Sequence, residues 1–116
     1  MQENDKPVLV YSTFPSHAAA EAVGRELVER RLAACVNILP GITSIYRWEG
    51  SVARDSEVAM IIKTRASLTD EAMQLVRSRH TYTTPALLVL PVTSGSADYV
   101  QWILSETRDT SEPAQD

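Results

Sequence analysis

Few side chains in this sequence have the chemistry to hold a metal ion or a small ligand, and they are scattered along the chain. His80 carries an imidazole of the kind that suits copper, zinc or nickel, and it closes a helical stretch just before a loop. The same position equally suits a histidine that serves only to complement the negative end of a helix. Cys35 is the sole thiol, a second candidate ligand or a small buried hydrophobe. Tyr46, Trp48 and Tyr82 offer apolar walls with polar tips for a ligand cleft that Ser12 would also border, and Glu49 offers a carboxylate. Tyr46 and Trp48 would serve equally well as packing residues in a contact between subunits. Glu57 and Lys63 share one face of an alternating stretch, which allows a ligand-binding or intersubunit ion pair, or merely a solvated strand face. Nothing raises His17 above a surface residue. Gly-x-Ser-x-Gly, a phosphate-binding glycine loop and paired carboxylates in an acid/base setting are all missing, so no catalytic residue is assigned and no enzyme is expected.

The elements that position these residues follow from the apolar pattern. Val8 to Tyr11 is a short apolar run ending before Pro15, a strand buried on both faces. Ser16 caps a helix in which Ala20, Val23 and Leu27 recur on one side, with Glu21–Arg25 and Glu26–Arg30 as i,i+4 pairs. Cys35 to Trp48 is rich in Val, Ile, Thr and Tyr and is broken only at Pro40-Gly41, as one long strand with a bulge or as two short ones. Glu49-Gly50-Ser51 turns the chain into a partner strand, Val52 to Thr64. Ser67 with Asp70 resembles a capping box for a second helix ending near His80. Ala86 to Val92 reads as another buried strand, and a last short helix puts Tyr99, Trp102 and Ile103 on one side.

The order is βαββαβ plus a C-terminal helix, an α+β fold of ferredoxin-like type with an antiparallel sheet and a long hairpin between the second and third strands. Residues 7–106 form a single domain, while 1–6 and 107–116 are polar and expected to be flexible tails. In this topology Cys35 and His80 fall at opposite ends of the sheet, at least ~17 Å apart across even a short strand, which is too far to share an ion. Ser12, His80 and Tyr82 come to one end, the end from which the hairpin leaves. Both long helices lie on one face, so the apolar residues of the first and last strands leave the other in need of cover, which copies of the chain would supply.

The net charge of −4 gives no basic field to hold nucleic acid or an anionic membrane surface. No apolar run approaches the ~20 residues of a bilayer helix. A lone cysteine fits a reducing compartment, and the expected location is the cytoplasm.

Several segments in order, ERRLAACVNILPGITSIYRWEG, EVAMIIKT, RHTYTTPALLVLPVTSG and DYVQW, resemble the CutA divalent-cation tolerance family from about Val8 to Ile103. The resemblance implies a tight homotrimer of ferredoxin-like protomers and a role in tolerance of, and response to, copper and other divalent metals, through metal binding. No settled enzymatic activity comes with it. In some bacterial members the proposed copper ligands are a cysteine at the position of Ser12 and a histidine pair at Arg79 and His80, and only His80 is kept here. The trimer also resembles PII-like regulators, so the alternative is a signalling or interaction module that takes a small ligand or protein partner at intersubunit clefts.

Overall fold

The computed structural model describes residues 5–109. Strand β1 spans Pro7–Phe14, helix α1 His17–Glu29, β2 Cys35–Trp48, β3 Ser51–Arg65, α2 Thr69–Arg79, β4 Leu88–Pro91 and α3 Ala97–Glu106. The sheet runs β2-β3-β1-β4 with every neighbouring pair antiparallel. This is the ferredoxin-like α+β arrangement. Val10 and Phe14 of β1 and Val58, Met60 and Ile62 of β3 point to one face, where Ala20, Val23 and Leu27 of α1, Ala72 and Val76 of α2 and Leu68 just before α2 close the core.

Local signals explain most of the boundaries. The Ser16 side chain accepts a hydrogen bond from the Ala19 amide and starts α1. The helix ends with Arg31 at φ 59, a left-handed position usually given to glycine. Leu32 and Arg31 amides return to the Leu27 and Val28 carbonyls, and the Arg31 guanidinium donates to the Ser105 and Thr107 carbonyls at the end of α3. One continuous β2 is observed, with a register shift between Leu39 and Ile42 that Gly41, at φ 75, makes possible. Glu49 and Gly50, at φ 50 and 82, form the two-residue turn of the hairpin. Since β1 stops opposite Val58 while β2 and β3 stay paired to Trp48 and Ser51, the hairpin projects as a two-stranded arm about 20 Å beyond the sheet.

The second helix does not start as expected. No Ser67–Asp70 box forms: a 3-10 turn, Ala66–Leu68, precedes α2, whose N-cap Leu68 makes no side-chain cap. The Ser67 amide and hydroxyl are instead taken by the Asp5 carboxylate, a partner 62 residues away that no local pattern reveals. Asp5 also meets Arg65, at 3.3 Å, with side chains 1% and 2% exposed. The Arg65 guanidinium further donates to the Thr107 hydroxyl (2.8 Å), the Thr107 carbonyl (3.1 Å) and the Leu104 carbonyl. Thr107 and Arg108 are buried, and Arg108 pairs with Glu71. Asp5, Thr107 and Arg108, within the stretches expected to be loose, are held by charge-assisted bonds that outweigh their polar character. Residues 1–4 and 110–116 lie outside the described residues.

The second sheet face is not wholly open. Lys63 and Arg65 stand on the side away from α1 and α2, and both are contacted by α3, where Lys63 Nζ donates to the Tyr99 hydroxyl at 2.8 Å. Ile103 and Leu104 bury the inner side of α3, whereas Tyr99 and Trp102 stack on each other partly in solvent. What stays uncovered is β4. It is shorter than expected and exposed along its length, with Leu88 at 63%, Val89 at 44% and Leu90 at 43%. The apolar run is thus a strand that none of the described residues covers on its exposed side.

Candidate functional site

Helix α2 gives way to an extended backbone at His80 (φ −81, ψ 146), ahead of Thr81, Thr83, Thr84 and Pro85, which disfavour further helix. The His80 ring lies nearly flat on Phe14, centroids 4.6 Å apart at 21°, and is tilted at 44° against Tyr82, also at 4.6 Å. Its Nε2 is 2.7 Å from the Thr13 carbonyl and its Nδ1 accepts the Tyr82 amide at 3.1 Å. A carbonyl only accepts and an amide only donates, so this geometry requires a proton on Nε2 and a lone pair on Nδ1. The Tyr82 hydroxyl donates to Glu57 Oε1 at 2.8 Å. The loop after α2 is thereby tied to the end of β1 and to the root of the arm.

On the arm, Ile42, Ser44 and Tyr46 face the same side as Glu57, Asp55 and Ala53, and the Tyr46 hydroxyl donates to Asp55. Two phenol–carboxylate pairs thus follow one another along β3. Burial, the hydrogen bond to Glu57 and the charges of Glu57 and Asp55 all push the Tyr82 phenol well above its ordinary value. The bond to Asp55, then burial, raise the Tyr46 phenol. Both hydroxyls are held as donors to carboxylates.

A protein-family model described as CutA1 divalent ion tolerance protein matches residues 8–106. The chain belongs to the CutA1 family. The chloroplastic CutA protein of Arabidopsis thaliana is 44% identical over 112 residues, covering 94% of this chain and 62% of the plant protein. The divalent-cation tolerance protein CutA of Thermus thermophilus is 41% identical over 99 residues, covering 85% of this chain and 96% of its own length. The crystal structure of CutA1 from Oryza sativa superposes with a TM-score of 0.87 at 40% identity, covering 90% of this chain and 96% of that one. The chain spans 62%, 58% and 57% of the lengths of the Arabidopsis, rice and human curated relatives.

Within this CutA1 fold, the residues singled out from the sequence are only partly brought together. His80, Tyr82 and Glu57 are in contact, and Tyr46 lies next along the arm. Ser12 is at the same end of β1 but shares the face of Val10 and Phe14, so its hydroxyl is buried in the core and finds no partner. Trp48 and Glu49 sit at the tip of the arm; the rise of a strand puts them about 20 Å from Glu57. The same rise separates Glu57 from Lys63, and each takes a tyrosine as partner, so they do not pair with each other within one chain. Cys35 pairs with Lys63 at the far end of the sheet and is partly exposed rather than a core residue. Arg79 turns away to a bidentate contact with Glu26 (3.1 and 3.0 Å), whose carboxyl that bond holds below its ordinary value. His17 lies exposed beside Glu21.

Sequence reasoning missed Thr13, Phe14 and Asp55. Phe14 reads as core, the Thr13 contribution is a backbone carbonyl, and Asp55 acquires its role only from the bulge, which sets the register of the arm.

Among the described residues no three His, Cys, Asp or Glu side chains converge on one point. Both nitrogens of His80 are committed, Ser12 is sealed in the core and Arg79 has no lone pair to give. A nitrogen- and sulfur-liganded site of the kind that suits soft copper does not fit these residues.

Proposed function

We propose that the chain serves in tolerance of divalent cations as a closed homotrimer, with the His80–Tyr82–Glu57 end forming a cleft that a neighbouring copy completes. Family membership carries this reading: the matching family is described by divalent ion tolerance, and so is the Thermus thermophilus relative. The assembly is supported by β4, an apolar edge strand exposed along its whole length, because such an edge in water invites pairing with another chain. Cations would meet oxygen donors here, from Glu57 and Asp55, each of which keeps acceptor capacity beyond its tyrosine bond. Hard divalent ions take about six or more oxygens, so two carboxylates are an incomplete set, to be filled by water or by a neighbour. The lone thiol of Cys35 supports a reducing compartment, the cytoplasm. No catalytic step is assigned.

The direct test is growth of a host deprived of its own family member, with and without this chain, across graded copper(II), zinc(II) and cobalt(II). Restored growth at otherwise inhibitory concentrations is the expected result, and equal inhibition of both strains refutes the role.

A further inference from the structure

We infer that His80 is a positioning residue without a coordinating role: its imidazole, fixed as the Nε2–H tautomer, joins the end of β1 to Tyr82 and presents no lone pair to a metal ion. This concerns the donor class at the proposed cleft and holds whether or not the chain confers tolerance.

The argument is one of donors and acceptors. Coordination through Nδ1 would orphan the Tyr82 amide, which now donates to it at 3.1 Å. Coordination through Nε2 would move the proton to Nδ1, setting two donors against each other at the Tyr82 amide and breaking the 2.7 Å contact to the Thr13 carbonyl. Turning the ring outward would lift it off Phe14 and away from Tyr82, each with its ring centroid 4.6 Å away. Nor do the neighbours compensate: Arg79 engages Glu26, and the Ser12 hydroxyl is enclosed among core side chains. What the ring does instead is hold the Tyr82 backbone where its hydroxyl reaches Glu57, so His80 acts on the site through Tyr82.

The test is histidine-ring nitrogen NMR on the full chain, with exposed His17 as internal reference. His80 should show the neutral pattern with its proton on Nε2, and that pattern should stay unchanged through two equivalents of zinc(II) or copper(I). The Tyr82 amide should be protected from hydrogen exchange, and that protection should be lost in His80→Ala, while calorimetric zinc and copper affinities of the variant stay within twofold of the parent. A proton found on Nδ1, or a stoichiometric metal-dependent change at either His80 nitrogen, overturns the inference. Should His80→Ala fail to fold, the tautomer and metal titration of the parent decide alone. A failed growth test would remove the tolerance role and leave these spectra as they are.

Discussion

Replacing Arg65 with methionine keeps the aliphatic stem and deletes a guanidinium whose side chain is 2% exposed. It abolishes the bonds to the Thr107 hydroxyl and carbonyl and to the Leu104 carbonyl, and leaves the Asp5 carboxylate, 1% exposed, without its cation. Removing one partner of a buried pair costs ~3–5 kcal/mol, because the remaining charge stays desolvated. Against a typical domain stability of ~5–15 kcal/mol that is a large share. At ~4–8 °C per kcal/mol for a domain near this size, the melting point should fall by at least ~12 °C. The assay is urea unfolding at one fixed protein concentration, since self-association makes apparent stability depend on concentration. Adding Asp5→Leu to Arg65→Met removes the orphaned carboxylate, so the double variant should regain part of the loss. A loss below ~1 kcal/mol for Arg65→Met, set against the full cost of a broken buried pair, would refute the reasoning that this arginine fastens both ends of the domain.

Three further outcomes follow from particular side chains. Ser12→Ala removes a buried hydroxyl without a partner and should stabilise the chain by about 1 kcal/mol in thermal unfolding; a loss of that size would mean the hydroxyl is bonded after all. Tyr82 has a folded pKa raised above its ordinary 10, so its contribution is complete below pH 10 and is lost as pH rises toward the folded value. The urea midpoint should therefore fall more steeply above pH 10 in the parent than in Tyr82→Phe, and parallel profiles would contradict the Tyr82–Glu57 bond. Leu88→Lys with Leu90→Lys charges a strand whose leucines are 63% and 43% exposed; at ~1.5–3 kcal/mol per fully buried leucine, about half of which remains to be gained on assembly, each contact loses roughly 1.5–3 kcal/mol. Sedimentation velocity should find folded single chains, and an unchanged oligomer would show that this edge is not the contact.

The elements were legible where the determinants are local. Ser16 accepts the Ala19 amide as its type and place suggest, and Glu49-Gly50 turns the hairpin with both residues at positive φ. The partner strand Val52 to Thr64 is observed as part of β3, where strand parity sets Val58, Met60 and Ile62 on the core side. Determinants distant in sequence were hidden. Asp5 reaches 62 residues to take the Ser67 cap, and α3 folds back so that Thr107 covers Arg65, which nothing near Arg65 announces. In the candidate site, the meeting of His80 and Tyr82 at the end of β1 follows from topology. The direction of Ser12 follows from strand parity, which places it with Val10 and Phe14 in the core rather than in a cleft. The state of His80 could not be read at all, since its partners are a backbone carbonyl and a backbone amide that carry no residue identity.

The central claim, that identical copies cover what one chain leaves bare, is tested most directly by the mass of the unmodified protein in sedimentation equilibrium at micromolar concentration. The account predicts a single species of three times the 12.8 kDa chain mass. A folded species at the mass of one chain, holding β4 in water without aggregating, would contradict it.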